Sequence, residues 1–270
     1  MPNSGTYTVK AGDSLSAIAN AHGCDWRELA RLNGIADANS IRPGQQLALP
    51  GNGGAEGSQT PSADRSASAA SPGEDWAALI EAHGDDEAKA EFAAGKRVLI
   101  ALRTTTNRKA NQGRGVYDDQ LIVVRKVNGS VSATKFACNT EPSGQYGHGG
   151  AKDDTGADIN RDGKVDQGRL VAGTYHYVAK PGGHLGGAAF WTRGTQTAER
   201  DVNQDGVWNE ADGANRIDPT HVGRTMYIHR GGDDNTWSAG CQTIRKSHYD
   251  AFLSSLGGQT GFSYILINAS

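Results

Sequence analysis

Two residues near the C-terminus, His229 and Cys241, have types and a spacing that suit acyl-transfer chemistry. A glycine- and asparagine-containing loop lies between them and can turn the chain back on itself. A cysteine attacks carbonyl carbon as its thiolate, and an unperturbed thiol, with a pKa of about 8.5, is only slightly ionised at neutral pH. A neighbouring imidazole is the usual activator. We therefore predict that Cys241 is a nucleophile and that His229 is its general base.

Two residues just before Cys241 suit the same chemistry. Gly240 permits close backbone approach, and the N–H groups of Gly240 and Cys241 are candidates to bind a developing oxyanion. Ser238 is a candidate to fix the imidazole or the loop by a hydrogen bond. The alternative is that Cys241 is a small buried apolar residue with no catalytic role, which is the commoner state of a cysteine.

The segment Ile228-His229-Arg230-Gly231, followed by Ser238-Ala239-Gly240-Cys241, resembles the L,D-transpeptidase family. The resemblance implies that the cysteine attacks the carbonyl between the third residue and the terminal D-alanine of a peptidoglycan tetrapeptide stem, forming a thioester. An amine acceptor then gives a crosslink or an exchanged D-amino acid, and water gives carboxypeptidase action. The motif is also similar to SAGCQ-containing prophage proteins and to transpeptidase-like toxins of the type VI secretion system.

The chain departs from the family pattern on both sides of the motif. Arg230 replaces the glycine directly after the histidine, and Gln242 and Thr243 replace an apolar residue and an arginine after the cysteine. The missing arginine leaves open how a substrate carboxylate is recognised. We expect Arg230 and Trp237 to contact substrate, and His221 is a second candidate for the site.

The N-terminal sequence blocks YTVKAGDSL, LARLN and IRPGQQLALP resemble a LysM domain. The pattern predicts a strand at 7–10, two helices and a strand at 46–49. The resemblance implies binding to N-acetylglucosamine-containing glycan such as peptidoglycan, in a groove between two loops. The candidate groove residues are Asp13, Ser14, Leu15 and Ile41. Asp13 or Ser14 is also expected to cap the first helix.

The elements that position these residues fall into two domains joined by a linker. Residues 52–74 are rich in glycine, serine, alanine and proline without apolar periodicity, which predicts a flexible linker between a LysM domain at 1–51 and a catalytic domain at 75–270. In the second domain a helix capped by Asp75 precedes many strands, with a hairpin turn at Asn128-Gly129. The predicted fold class is an α+β LysM domain (βααβ) followed by a mainly β, L,D-transpeptidase-like domain.

Two acidic loops offer oxygen atoms at the first, third and fifth positions followed by glycine, which is the spacing of calcium-binding loops. In the second loop Asp212 stands where a glutamate would complete an EF-hand loop, and Val207 would contribute its carbonyl. We predict structural calcium; the alternative is Asx turns without metal. The candidate ligands are Asp158, Asn160, Asp162, Lys164 and Asp166 in the first loop, and Asp201, Asn203, Asp205, Val207 and Asp212 in the second.

Charge and hydropathy argue against several other classes of protein. The net charge of −3 and the lack of a basic run disfavour nucleic acid as a partner. No apolar stretch approaches the roughly 20 residues of a membrane span, and the start of the chain lacks the pattern of a signal peptide. The cysteines Cys24, Cys138 and Cys241 do not indicate a disulfide scaffold. No organic cofactor is expected.

These patterns predict a cysteine enzyme that acts on peptidoglycan. Such a protein would be made in the cytoplasm and would act in the periplasm or cell wall after secretion or lysis. Its candidate partners are peptidoglycan, a secretion machine and an immunity protein, as for an antibacterial effector or a phage-encoded wall enzyme. The alternative is a non-catalytic wall-binding or phage tail-associated structural protein.

Overall fold

The computed structural model describes residues 6–10, 18, 29–30, 32–35, 41–49, 75–146 and 156–269. Contacts divide the chain into two units, Met1–Ser62 and Ala63–Ser270. The division falls within the predicted linker segment, 52–74, which lies outside the described residues. Within the described ranges, no helix is both long enough and apolar enough to cross a membrane.

The first unit contains a two-stranded sheet. Strand β1 (Thr6–Thr8) pairs antiparallel with β2 (Gln46–Ala48), close to the predicted positions. Asn33 ties the intervening chain to β2, because its Nδ2 donates to the carbonyls of Leu29 and Ala48 while its Oδ1 accepts from the Ala48 amide. Among the described residues of this unit, the buried apolar side chains form one cluster, consisting of Val9, Ile18, Leu29, Ala30 and Leu47.

The second unit is mainly β, as the sequence predicts. Its helices are α1 (Trp76–His83), α2 (Asp86–Ala93) and α3 (Lys246–Ser255). Its strands are β3 (Val98–Arg103), β4 (Asp119–Val127), β5 (Ser130–Asn139), β6 (Gly168–Leu170), β7 (Gly173–Ala179), β8 (Ala189–Thr192), β9 (Ala198–Arg200), β10 (Ile217–Asp218), β11 (Ile228–Arg230), β12 (Gln242–Ile244) and β13 (Gly261–Asn268).

Eight of these strands close into a barrel, in the order β11-β12-β5-β4-β3-β13-β7-β8. Neighbouring strands are antiparallel except for two parallel pairs, β11 with β12 and β13 with β3. The predicted hairpin joins β4 to β5, and its turn residues Asn128 and Gly129 have φ angles of 51° and 80°. Positive φ at both central residues is the geometry that an Asn-Gly turn favours.

Apolar side chains pack on both faces of the barrel wall, because side chains alternate along each strand. The interior cluster includes Leu99 and Tyr264, and α3 contributes Phe252 to it. On the outer face, α1 and α2 cover Ile100 and Ile122. Both covering helices begin at an aspartate, since Asp75 and Asp85 accept hydrogen bonds from the amides of Ala78 and Ala88, each at 2.9 Å.

The apolar segment TMYIHRG, residues 225–231, favours a longer strand than the structure has. Only Ile228–Arg230 pairs as a strand. Before it, Thr225 Oγ1 donates to the Val222 carbonyl, and the Met226 amide donates to Gln196 Oε1, so side chains and turn contacts take the hydrogen bonds that a longer strand would make. A separate sheet has the order β10-β9-β6, and the second acidic loop lies between β9 and β10 in the chain.

Candidate active site

The parallel pairing of β11 and β12 brings the two candidate catalytic residues to adjacent strand ends. Ile228 lies opposite Gln242 and His229 lies opposite Thr243. The Gln242 amide donates to the Tyr227 carbonyl at 2.7 Å, which extends this pairing to the start of β12. Cys241 directly precedes that strand. The loop between His229 and Cys241 therefore does return the chain to the histidine strand.

His229 is buried in a form suited to accept a proton. Its side chain is almost fully inaccessible, and its Nδ1 lies 2.8 Å from the Arg230 carbonyl oxygen. A carbonyl oxygen only accepts, so Nδ1 carries the proton and Nε2 presents a lone pair. Burial lowers the pKa of His229 to about 4, and the nearby His184 ring acts in the same direction. Nε2 has no hydrogen-bond partner among the described residues.

Cys241 has a narrow exposed edge, 6% of its surface. The Tyr227 amide donates to the sulfur at 3.3 Å, and the thiol donates to the Thr225 carbonyl at 3.6 Å. The thiol proton is therefore directed toward Thr225 in this arrangement and not toward the imidazole. The S–H bond must turn away from Thr225 and the sulfur must come within hydrogen-bond reach of Nε2 before His229 can receive that proton, because Nε2 has no partner among the described residues.

Ser238 and Gly240 fix the turn that carries Cys241. Ser238 is fully buried, donates to the Cys241 carbonyl at 2.7 Å and accepts from the Gly240 amide at 3.2 Å. The Gly240 N–H is thus engaged within the turn and does not point at a substrate oxygen. Gly240 has a φ of 136°, and a Cβ there would lie 2.7 Å from the Gly168 carbonyl oxygen. The turn therefore requires glycine at this position.

His184, which is not among the residues predicted from the sequence, lies next to His229. Its ring centroid lies 4.7 Å from that of His229 and 5.1 Å from that of Tyr227. It belongs to the glycine-rich loop between β7 and β8, which lines a cavity of about 470 Å³ together with Lys180. No metal-ligand spacing marks His184 in the sequence. The glycines around it indicate a loop, but they do not indicate that this loop contacts His229.

The other candidates take varied positions. Arg230 contacts the His229 ring through its backbone carbonyl oxygen, and its own side chain is half-buried. Trp237 is 39% exposed with a positive φ of 52°. Nδ1 of His221 lies 2.9 Å from Asp218 Oδ1, so the ring is hydrogen-bonded to strand β10 of the separate sheet. In the first unit Ile41 packs against the apolar cluster. Asp13, Ser14 and Leu15 lie outside the described residues.

The second acidic loop is held by internal hydrogen bonds, and one of its buried oxygens has no partner among the described residues. Asp201 Oδ2 accepts from the Gly206 amide at 3.1 Å and forms an ion pair with Arg108 Nε at 2.6 Å, whereas its buried Oδ1 has no partner among the described residues. Burial raises the pKa of Asp201. Asp212 Oδ1 accepts from the Val202 amide at 2.7 Å, which closes the loop.

The first acidic loop is similar. Asp158 Oδ2 accepts from the Gly163 amide at 2.9 Å, and Asp166 Oδ2 accepts from the Ile159 amide at 2.9 Å. Asp166 Oδ1 is buried, and none of the described residues forms a hydrogen bond with it. Across the described part of the chain, no set of three or more His, Cys, Asp or Glu side chains is grouped closely enough to hold a metal ion. Coordination in either loop would need amide and carbonyl oxygens as well, so calcium stays a prediction.

Comparison with known proteins settles the nature of the N-terminal segment. Residues 7–50 match the family model described as LysM domain. The N-terminal segment is a LysM domain. Such a domain indicates binding to peptidoglycan, and the β1–β2 pair and the apolar cluster described above belong to it.

Curated relatives match the chain through this domain only. An N-acetylmuramoyl-L-alanine amidase, sle1, from Staphylococcus saprophyticus is 49% identical over 61 residues, which is 22% of this chain and 18% of the relative. The amidase XlyB of Bacillus subtilis is 43% identical over 65 residues, which is 24% of this chain and 18% of the relative. The uncharacterized lipoprotein YgeR of Escherichia coli is 51% identical over 45 residues, or 17% and 18% of the two chains. The chain thus spans less than a fifth of the length of each.

Among solved structures, a MoCVNH3 variant in complex with (N-GlcNAc)4 is 20% identical and covers 50% of this chain and 54% of its own. Its TM-score is 0.18. A likeness of that size carries no argument about the fold or the function of the barrel.

Proposed function

We propose that this protein is a peptidoglycan-targeting cysteine enzyme of the L,D-transpeptidase or L,D-carboxypeptidase type. The LysM domain holds the chain on the cell wall, and the barrel acts on tetrapeptide stems. The observation that carries the proposal is the buried, neutral imidazole of His229, whose Nε2 has no hydrogen-bond partner among the described residues, on the strand that pairs with the one following Cys241. An unsatisfied buried nitrogen is costly unless a thiol or a ligand completes it.

The proposed reaction begins when the Cys241 thiol turns away from the Thr225 carbonyl, to which it donates in this structure. Nε2 of His229 takes the proton of the Cys241 thiol, and the Arg230 carbonyl holds the opposite ring nitrogen so that the imidazolium is oriented. The sulfur attacks the carbonyl of the third stem residue, and the bond to the terminal D-alanine breaks. The leaving amine receives the proton from the imidazolium. The resulting thioester is then resolved by an amine acceptor or by water.

The test is product analysis on purified tetrapeptide muropeptides, with and without a D-amino acid acceptor. We expect the wild type to release D-alanine and to give tripeptides or exchanged stems, and Cys241→Ala to give neither. Cys138→Ala is the matched control, because Cys138 is a buried thiol of the barrel cluster and has no proposed role in catalysis.

A non-catalytic, wall-binding function is the second candidate, and one observation favours it. The Cys241 thiol donates to the Thr225 carbonyl, and its sulfur is mostly covered. Under that alternative, wild type and Cys241→Ala both bind insoluble peptidoglycan and neither changes the muropeptides. That pair of results would discard the enzymatic proposal and leave the LysM domain as the functional part.

The similarity of the Ser-Ala-Gly-Cys-Gln motif to prophage proteins and to type VI toxins extends the proposal to an antibacterial effector or a phage-encoded wall enzyme. In that setting a secretion machine delivers the protein and an immunity protein protects the producing cell. Both partners follow from the proposed attack on the wall, since an enzyme of this kind is harmful wherever peptidoglycan is accessible.

A further inference from the structure

The positively charged side chains of Arg224 and Lys180 both pack against the indole ring of Trp191. The guanidinium carbon of Arg224 lies 3.9 Å from the centre of the Trp191 ring, and Lys180 Nζ lies 5.7 Å from it. The neighbouring Arg193 has a carboxylate, with Glu87 Oε1 at 2.5 Å. Within the described residues, no acidic side chain forms an ion pair with Arg224 or Lys180. Their charges are therefore available to an anion from outside.

Both cations flank the short segment that holds the candidate nucleophile. Arg224 directly precedes Thr225, whose carbonyl accepts from the Cys241 thiol at 3.6 Å. Lys180 Nζ lies 5.3 Å from the ring centre of Tyr227, and the Tyr227 amide donates to the sulfur at 3.3 Å. The two cations therefore lie around residues 225–227, whose backbone contacts the atom proposed to react.

The two cations are held in place before any ligand arrives. Arg224 Nε donates to the Thr192 carbonyl, and Lys180 Nζ donates to the Gly183 carbonyl at 3.0 Å, on the wall of the cavity. Stacking on an aromatic ring restrains a guanidinium while leaving its terminal N–H groups free to form paired hydrogen bonds with a carboxylate. Such restraint reduces the entropy lost on binding.

We propose that Arg224 and Lys180 bind the free terminal carboxylate of the peptide that Cys241 attacks. This inference rests on the proposed function and names its substrate class, a peptide cut at its last bond. In such a peptide only the nitrogen and α-carbon of the final residue separate the scissile carbonyl from the carboxylate. Cations beside the segment that contacts the sulfur therefore select the C-terminal bond over internal bonds. They give the site the recognition that an arginine supplies in the family, at the position where this chain has Thr243.

The test measures binding apart from chemistry, in the full-length Cys241→Ala protein. Calorimetric titration with the tetrapeptide stem and with its C-terminal amide compares a free carboxylate with a neutral end. We expect the acid to bind about ten-fold more tightly than the amide. Arg224→Gln and Lys180→Gln, each added to Cys241→Ala, should weaken binding of the acid about ten-fold and leave binding of the amide unchanged. Arg193→Gln, which removes a nearby but paired cation, should change neither.

Equal affinity for acid and amide, absence of tetrapeptide binding, or an equal loss in the Arg193→Gln control would overturn the carboxylate site. Circular dichroism verifies that each variant is folded. Turnover by the wild type is scored separately. If the protein binds the acid more tightly than the amide but the wild type shows no turnover, only the proposed chemistry is contradicted. If the wild type turns over tetrapeptide but acid and amide bind equally, only the carboxylate site is contradicted.

Discussion

At the scale of single residues, the burial of His229 has a measurable consequence for stability. Burial lowers the pKa of this imidazole to about 4 in the folded protein, while in the unfolded chain it has its ordinary value of about 6.5. Between these values the unfolded state binds the proton and the folded state does not. His229 therefore disfavours folding increasingly as the pH falls from about 6.5 to about 4.

We expect the free energy of unfolding to fall by about 3 kcal/mol across that pH window because of His229 alone. His229→Gln should flatten this part of the curve of stability against pH, as measured by urea denaturation at several pH values. His248→Gln is the control, since it removes an exposed imidazole from α3. An unchanged slope in His229→Gln would show that the ring is not buried as a neutral base.

Residue types and their order predicted His229 and Cys241 as a candidate pair. They did not predict the hydrogen bonds that neighbouring residues form around Cys241. The motif could not show that Ser238 would engage the Gly240 N–H, or that the thiol would donate to Thr225, because both depend on torsions within the turn. His184 was missed because its contact with His229 is made by a loop distant in sequence. Such contacts carry no local signal.

At the scale of elements, the β4–β5 hairpin depends on its turn. Gly129 has a φ of 80° with open space around it, so a methyl group there is strained by the backbone conformation and not by a clash. We expect Gly129→Ala to lower the free energy of unfolding by about 1 kcal/mol. Gly194 also has open space but no positive φ, and Gly194→Ala should be neutral or slightly stabilising. Equal effects of the two substitutions would contradict the turn assignment.

The second acidic loop gives a metal-dependent prediction at the same scale. If the loop binds calcium, calcium at one hundred times its Kd should raise the Tm by about 5 °C relative to a chelator. Asp205→Ala removes an exposed candidate ligand and should abolish the rise. Glu210→Ala, an exposed acid of the same loop outside the proposed set, should retain it. A Tm that is the same in calcium and chelator would leave these loops as Asx turns.

Most elements could be predicted from the sequence because their signals are local. The capping residue Asp75 and the Asn-Gly turn marked the start of α1 and the hairpin of β4 and β5. Closure of the barrel could not be predicted, since it depends on which distant strands pair. The parallel contact of β13 with β3 joins segments from opposite ends of the unit. The short β11 was also overestimated, because its flanking amides bond to side chains.

At the scale of the whole molecule, the chain combines a LysM unit with a barrel unit. A mutation in one unit should impair the function of that unit and leave the function of the other unchanged. Leu47 is fully buried in the LysM cluster, so Leu47→Ala should destabilise that unit by about 2–5 kcal/mol and weaken sedimentation with insoluble peptidoglycan. Leu32 is 46% exposed, and Leu32→Ala should sediment like the wild type. Turnover of soluble muropeptides should be unchanged in both variants. A parallel loss of wall binding and turnover in Leu47→Ala would contradict independent units.

The claim on which the functional account depends is that Cys241 forms a covalent bond with a stem peptide. Intact-protein mass spectrometry after acid quenching tests it directly, using tetrapeptide muropeptide as substrate and peptide mapping to locate the adduct. The account predicts a mass increase equal to the acyl group left when D-alanine departs, located on Cys241 and absent from Cys241→Ala. An adduct on another residue, or turnover of stems by Cys241→Ala, would contradict it.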